Sequence, residues 1–295
     1  MAATTIELPA TSTSRQTPQV WRTLGRLRRH RGAVVGSGMV LIVGLAAILA
    51  PAIAPYDPAD MGVGPSLAPP SLAHLFGTDT FGRDIFSRVL HGAHLSLMVG
   101  LVAVAIEASV GVIVGLVAGY YGGWIDAVLM RCVDVLLAFP GILLALAIVS
   151  ILGISLTSLM IAVGIGGIPS FARLIRGSTL SVKENLYVTV ARSIGAVDNT
   201  IIFRHILPNI VSPVIVYATL RIAFAIIATS SLSFLGLGAK SPSPEWGVML
   251  SDGREFMRVA PWVTTFPGLA IMLSVLGINL LGDGLRDVLD PRLRV

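Results

Sequence analysis

The chain has 295 residues, of which 54% are hydrophobic and only 13% are charged. A composition this apolar excludes a disordered chain and argues against a soluble enzyme domain. A single cysteine excludes an intrachain disulfide framework and a cysteine-based zinc cluster. The net charge of +5 therefore raises the question of where the positive residues lie relative to a lipid bilayer.

Long stretches without charge predict membrane spans, because about 20 apolar residues are needed to cross the core of a bilayer. One uncharged stretch is too long for a single helix, and we divide it at the turn Gly153-Ile154-Ser155. The predicted spans are 34–54, 94–118, 135–152, 156–174, 210–237 and 259–282. The sequence thus predicts an all-α, polytopic membrane protein with six transmembrane helices.

The distribution of basic residues predicts the orientation, since Lys and Arg are retained on the cytoplasmic side. With both termini in the cytoplasm, 15 basic residues fall inside and 5 outside. We expect a multi-pass protein of the cytoplasmic (inner) membrane. The predicted divisions are a cytoplasmic N-terminal segment (1–32), the first span with an extracytoplasmic loop (33–93), a core transmembrane domain (94–286) and a cytoplasmic tail (287–295).

Two charged residues, Glu107 and Arg221, lie near the middle of predicted spans. A charge at mid-bilayer costs about 2.5–3.5 kcal/mol on the translocon scale, so each needs a partner or a water-filled path. Three interpretations remain open: the two residues pair with each other, they make separate polar contacts, or they contact a substrate.

Regular spacings predict two further features. Gly111, Gly115 and Gly119 recur at every fourth position of the second span, which favours the close approach of another helix, with a flexible hinge as the alternative. In the first outer loop, the i,i+4 pairs formed by residues 79 with 83 and 84 with 88 predict a solvated, self-paired surface, with docking of a partner protein as the alternative.

The segment between the fourth and fifth spans is too polar to insert into the membrane, yet it is patterned. A short helix is predicted, then a break at Asp198-Asn199-Thr200, then a second amphipathic segment stopped by Pro208. One exposed apolar face is expected, and such faces normally mark docking surfaces. Its predicted members are Tyr187, Val190, Ala191, Ile194 and Val197.

This segment resembles the signature loop of the integral membrane permeases of ABC importers. The family pattern is Glu-Ala-Ala, three residues, Gly, about nine residues and Ile-x-Leu-Pro. Ala191 matches the second Ala, Gly195 matches the Gly, and Pro208 ends the pattern. Thr189 and Val190 replace the Glu and the first Ala, and His205 replaces the Ile.

Further stretches are similar to the dipeptide, oligopeptide and nickel branch of that family, and they follow in the family's order. They are residues 74–84, 95–97, 119–123, 233–238, 244–250 and 279–291. Each is weak alone, but together they identify the chain as a C-type permease subunit of a dipeptide or oligopeptide importer.

The resemblance implies a type I ABC importer permease fold, with a cytoplasmic coupling helix near residues 189–200 inside a coupling loop of about 183–209. Gly195 would permit close backbone packing there or take a dihedral angle that other residues resist. The residues implied in coupling to the ATPase are Thr189, Val190, Ala191, Gly195, Ala196, Asp198 and Pro208.

The implied function is to form, with a homologous second permease subunit, the path for di- or oligopeptides. Two ABC ATPase subunits and an extracytoplasmic substrate-binding protein are the implied partners. A phosphate-binding loop ends in Gly-Lys-Ser/Thr, but the two lysines, Lys183 and Lys240, follow Val182 and Ala239. We therefore expect no enzyme and no cofactor in this chain, with ATP and Mg bound by the ATPase subunits, and we expect no metal site and no nucleic acid.

Two alternatives remain open from the sequence. The first is a nickel or other small-solute ABC importer permease of the same architecture. The second is an ion-coupled secondary transporter, in which Glu107 would serve as a proton site and Gly-interrupted helices would surround it.

Overall fold

The computed structural model describes residues 30–289, so the predictions for residues 1–29 and 290–295 lie outside the described residues. The described part is helical, with one isolated bridge between Thr78 and Asp84. Its α-helices are α1 (Arg31–Ile53), α2 (Ile85–Tyr121), α3 (Gly123–Leu137), α4 (Gly141–Leu152), α5 (Leu156–Lys183), α6 (Leu186–Ser193), α7 (Asp198–Thr200), α8 (Leu207–Phe234), α9 (Trp246–Gly253) and α10 (Trp262–Leu289). A π-helical turn, Ile201–Ile206, joins α7 to α8, and a 3₁₀ turn, Arg254–Phe256, follows α9.

Five helical stretches are long and apolar enough to cross a membrane: α1, α2, α5, α10 and the continuous stretch Asp198–Phe234. The bent pair formed by α3 and α4 makes a sixth if it is counted as one span. The prediction of an all-α, polytopic membrane protein is confirmed. Several helices extend beyond the predicted apolar windows, because helical hydrogen bonding continues past the last apolar residue; α2, for example, has 37 residues.

The predicted span over residues 135–152 is not one continuous helix. This stretch is broken between α3 and α4, whose axes differ by 89°. Pro140 stands at the N-cap of α4, and a proline disfavours helical geometry in the residue before it, here Phe139. The predicted turn Gly153-Ile154-Ser155 is confirmed, since α4 ends at Leu152 and α5 begins at Leu156.

Helices α2 and α5 pack with their backbones close together along the glycine face of α2. A Cβ atom added at Gly115 would lie 2.8 Å from the Cβ of Ile175, and one added at Gly119 would lie 2.8 Å from the Cβ of Thr179. Gly111 faces Phe171 in the same way. Because α2 is an unbroken helix through these positions, the structure supports the packing interpretation of the three glycines.

A second close contact holds α1 against α10. A Cβ atom added at Gly36 would lie 2.6 Å from the backbone nitrogen of Leu281, and one added at Gly277 would lie 2.7 Å from the Cβ of Met39. Helix α2 continues without a break across the predicted boundary between residues 93 and 94. The first span is thus packed on the last one, and the loop that follows it runs directly into α2.

The segment between α1 and α2 is folded around buried charges. The Asp79–Arg83 pair forms, with Nε of Arg83 2.5 Å from Oδ2 of Asp79, but both side chains are buried, so the solvated surface predicted there is wrong. The predicted pairing of Asp84 with residue 88 is also wrong. Asp84 instead contacts Nδ1 of His74 at 3.0 Å and accepts the backbone N–H of Ser87 as the N-cap of α2.

Arg88 links this segment to the one between α8 and α9. Its Nη1 donates to the carbonyl oxygens of Pro58 (2.9 Å) and Pro242 (3.1 Å), and its Nη2 donates to that of Ser243 (3.2 Å). A buried guanidinium needs such acceptors to offset its desolvation. The two loops therefore form one packed unit on the end of the bundle where α2 begins.

The tight packing of α2 on α5 leads to a stability prediction. Replacing Gly115 with Leu should destabilise the protein by about 1–3 kcal/mol or more, because the new side chain would meet backbone atoms of α5 that cannot move aside. The thermal unfolding temperature of the purified protein in detergent measures the effect. Gly44→Leu is the control, since no atom of residues 30–289 lies within 4 Å of the position of its Cβ; equal losses at both positions would contradict the prediction.

Candidate functional site

The connection between α5 and α8 carries an exposed apolar face. Four residues of α6 and the turn after it are exposed: Tyr187, Val190, Ile194 and Val197. Ile194 is 80% exposed. These are four of the predicted members of the face. Exposed apolar side chains grouped in this way are typical of a surface that another protein covers.

Ala191 is the exception, and its prediction as part of the exposed face is wrong. It is 7% exposed and follows the buried Val188 by three residues, so it lies on the inward side of α6. Thr189 is exposed on the same helix, and its carbonyl oxygen accepts the hydroxyl of Ser193. Alanine is too small for helical spacing alone to decide which side of a short helix it occupies.

Gly195 ends α6 in a Schellman motif. The N–H of Ala196 donates to the carbonyl of Ala191, the N–H of Gly195 donates to that of Arg192, and Gly195 has a φ of +83°. Among the described residues, no atom lies within 4 Å of the position that its Cβ would occupy, so nothing in this part of the chain packs closely on Gly195. The structure supports the dihedral alternative.

The chain after this turn is one long helical stretch, so three predictions need correction. Residues 189–200 do not form a single helix, because α6 ends at Ser193 and α7 begins only at Asp198. Residues 198–200 are helical and do not form a break. Pro208 does not stop the helix. The N–H group that a proline lacks falls at the junction between the π-helical turn and the first turn of α8, and at this junction the N–H of Leu207 donates to the carbonyl oxygen of Ile202.

Tyr120, in the last turn of α2, makes a side-chain hydrogen bond to this connection. It is 3% exposed, and its hydroxyl donates to Oδ1 of Asp198 at 2.6 Å. Sequence reasoning used the stretch 119–123 only for its resemblance and gave Tyr120 no role. The available signal in the sequence was a tyrosine near the glycines that end the helix. Its hydrogen-bond partner, however, lies 78 residues away in the chain.

Two ion pairs that sequence reasoning also missed tie α5 to α3. Arg176 donates twice to the carboxylate of Asp126, at 2.6 and 2.5 Å, and Arg173 donates to Asp134 at 2.7 Å. Bidentate pairs fix orientation as well as distance. The half of α5 that leads into the connection is therefore held by α3 on one side and by α2 on another.

Glu107 and Arg221 are joined by a bidentate ion pair. Nε and Nη2 of Arg221 each donate to a carboxylate oxygen of Glu107 at 2.7 Å. The side chain of Glu107 is completely buried, and that of Arg221 is 14% exposed. Of the interpretations left open by the sequence, the structure shows the pairing of α2 with α8.

A third helix closes around this pair. Any Cβ at Gly167 of α5 would overlap the carboxylate of Glu107, so only glycine leaves room for it. The guanidinium of Arg221 also lies 4.5 Å from the ring centroid of Phe224, within the range of a cation–π contact. The ion pair therefore lies where α2, α5 and α8 meet.

A cavity of about 950 Å³ opens between α5, α8 and α10, next to the α5–α8 connection. Its described lining includes two arginines, Arg173 and Arg286, and no acidic residue. Ser178, Asn209 and Tyr217 add polar groups to the wall. Cavities of roughly 300–1,000 Å³ accommodate small ligands, and polar groups in membrane helices normally face protein or a water-filled space.

Comparison with known proteins gives the family. Residues 111–295 match the model of the binding-protein-dependent transport system inner membrane component, and residues 16–70 match that of the N-terminal transmembrane domain of oligopeptide transport permease C. The chain belongs to this family of transport permeases. It is a membrane permease of the ABC importer type, a class of protein that is not itself an enzyme and that works with a second permease, ATPases and a binding protein.

Similar proteins cover nearly the whole chain. The glutathione transport system permease protein GsiD of Escherichia coli (strain 536) is 53% identical over 94% of this chain and 90% of its own length. The dipeptide transport system permease protein DppC of Alkalihalophilus pseudofirmus is 48% identical over 93% of this chain and 90% of its own length. A solved structure of the MetNI methionine ABC transporter in an inward-facing conformation shares the fold, with a TM-score of 0.57, 19% identity and coverage of 68% of this chain and 96% of that chain.

The buried ion pair leads to a stability prediction for the permease. Arg221→Met alone leaves Glu107 buried without a counter-charge, which costs about 3–5 kcal/mol. The double variant Glu107→Met, Arg221→Met replaces both charges with adaptable apolar side chains and should unfold within a few degrees of the wild type. Thermal unfolding in detergent measures both variants, and a double variant as unstable as the single one would show that the pairing does not account for the loss.

Proposed function

We propose that this permease carries short peptides across the cytoplasmic membrane as one half of a heterodimeric, ATP-driven importer. The observation that carries the proposal is the similarity, over more than nine-tenths of the chain, to permeases named for glutathione and dipeptide transport. Glutathione is itself a tripeptide, so both names specify short peptides.

Within this proposal, the α5–α8 connection docks on an ATPase subunit. The exposed apolar face on α6 supplies the contact surface, and the turn at Gly195 sets the angle between α6 and the long helix that follows. Val190 is part of this docking surface and Thr189 lies exposed beside it, whereas Ala191 packs inward. The residues assigned to coupling are Thr189, Val190, Ala191, Gly195, Ala196, Asp198 and Pro208.

The proposal also includes the partners and the location. A homologous second permease completes the path, two ABC ATPase subunits bind ATP and Mg, and an extracytoplasmic binding protein delivers the peptide. Both termini lie in the cytoplasm, as the distribution of basic residues predicts. The loops joined by Arg88 then lie on the outer face, where they offer a packed surface to the binding protein.

The cavity between α5, α8 and α10 is proposed as part of the inward half of the peptide path. Its position beside the connection would let a change in the ATPase subunits open or close it. Arg286 in its wall suits the carboxylates that peptides carry, whereas Arg173 is already paired with Asp134.

The two alternatives from the sequence have less support. The nickel or small-solute importer shares the fold, but the similar permeases cited above are named for peptides and glutathione. A proton-coupled secondary transporter would use Glu107 as its proton site, but that carboxylate is buried and already bonded twice to Arg221.

Peptide uptake tests the function and the role of Gly195 together. The complete transporter, reconstituted in vesicles with its binding protein, should take up a tripeptide only when ATP is present, and uptake should survive collapse of the ion gradients. Gly195→Val should reduce uptake at least tenfold without preventing membrane insertion, because a β-branched residue resists a φ of +83°.

Gly195→Asn is the matched control, since asparagine tolerates left-handed backbone angles and the space around position 195 is open. It should retain most of the uptake. Uptake that needs an ion gradient and no ATP would contradict the proposed function, while normal uptake by Gly195→Val would contradict only the role of the turn.

Filling the cavity tests the proposed path. Gly177 lines it, and within the part of the chain that the structure describes no atom lies within 4 Å of the position of its Cβ, so Gly177→Trp should fold normally and block uptake by narrowing the cavity. Gly166→Trp is the control on the same helix, because position 166 also has open space but does not line the cavity. Equal uptake by the two variants would rule the cavity out as part of the path.

A further inference from the structure

Tyr120 lies where three parts of the connection meet the end of α2. Its hydroxyl bonds to Asp198 at 2.6 Å, and its ring centroid lies 5.7 Å from Nζ of Lys183 and 5.8 Å from Cζ of Arg192. These three residues belong to the beginning of α7, the end of α5 and the last turn of α6. One buried aromatic side chain thus contacts the end of α5 and both α6 and α7.

The backbone at the same position adds a fourth contact. Lys183 Nζ donates to the carbonyl oxygen of Tyr120 at 2.5 Å. The last carbonyls of a helix lack intrahelical partners and attract cations, so Lys183 caps α2 while it ends α5. The helix cannot extend further, because Gly122 has a φ of +65°. The end of α2 is therefore fixed to the connection through both its side chain and its main chain.

Helix α2 is also bonded to α8 at a second position along its length. Glu107 lies on α2, and its partner Arg221 lies on the helical stretch that begins at Asp198. A displacement of α6 and α7 would therefore act on α2 at Tyr120, while the ion pair joins α2 to α8 at Glu107, 13 residues before Tyr120. Neither contact runs through the covalent chain between α5 and α8.

We propose that Tyr120 is a positioning residue for energy coupling: its bond to Asp198 transmits the movement of the ATPase-facing connection to α2. This inference rests on the proposed function, because it assumes that ATP hydrolysis drives transport. It goes beyond it by naming a residue outside the signature loop and the bond through which the loop acts on the membrane helices.

The test compares transport with ATP hydrolysis in the complete, reconstituted transporter. Tyr120→Phe keeps the ring and its contacts with Lys183 and Arg192 but removes the hydroxyl that bonds Asp198. Peptide transported per ATP hydrolysed should fall about tenfold, the factor expected for one hydrogen bond to a charged group. ATP hydrolysis and the KM for the peptide should each change less than twofold.

Two further variants separate transmission from simple destabilisation. Asp198→Asn keeps an acceptor oxygen for the phenol and should retain most of the coupling, whereas Asp198→Leu should behave like Tyr120→Phe. Combining Asp198→Leu with Tyr120→Phe should cause no additional loss, because both changes remove the same bond. Unfolding temperatures of all variants are measured alongside.

Tyr121→Phe is the matched control, since Tyr121 is adjacent, half exposed and not bonded to the connection in the described structure. It should behave as the wild type. Proportional loss of transport and ATP hydrolysis in Tyr120→Phe, or unchanged coupling, would overturn the inference while leaving the proposed function intact. Absence of ATP-driven uptake by the wild type would overturn both.

Discussion

The carboxylate of Glu107 needs a cation, because it is completely buried in the middle of an apolar helix. Arg221 is that cation, and its two hydrogen bonds fix both the distance and the orientation between α2 and α8. Gly167 lets α5 approach the pair closely, since any larger side chain would overlap the carboxylate. Three membrane helices therefore meet at one ion pair.

Helix α2 contacts the other helices at three places along its length. One of its faces carries the glycines that receive α5, its middle carries Glu107, and its end carries Tyr120. Glu107 and Tyr120 are 13 residues apart, which corresponds to about 20 Å along the helix axis. A rigid helix contacted at both places would carry a displacement at the surface of the membrane into its interior as a single body.

Much of the fold follows from patterns that are local in the sequence. Apolar length predicts the spans, and the spacing of Gly111, Gly115 and Gly119 predicts a close helix contact. The break at Pro140 escaped prediction because no charge marks it. Ala191 was placed on the wrong face because an alanine carries little directional information in a helix of 8 residues. The contact of Tyr120 with Asp198 is beyond the reach of sequence patterns, and the pairing of Glu107 with Arg221 is only one of three open interpretations there, since the partners lie 78 and 114 residues away and depend on how the helices pack.

The π-helical turn Ile201–Ile206 determines which way Asp198 points relative to Arg221. The two residues are 23 positions apart, and at about 100° per residue a pure α-helix would place them about 140° apart around its axis. A π-helical turn accommodates one extra residue, which reduces this angle to about 40°. Both side chains consequently lie on one side of the same helical stretch, the side from which α2 offers Tyr120 and Glu107. Removing the exposed Phe203 from this turn would rotate Asp198 and the connection before it relative to the membrane helices, although Tyr120, Asp198, Glu107 and Arg221 would all still be present.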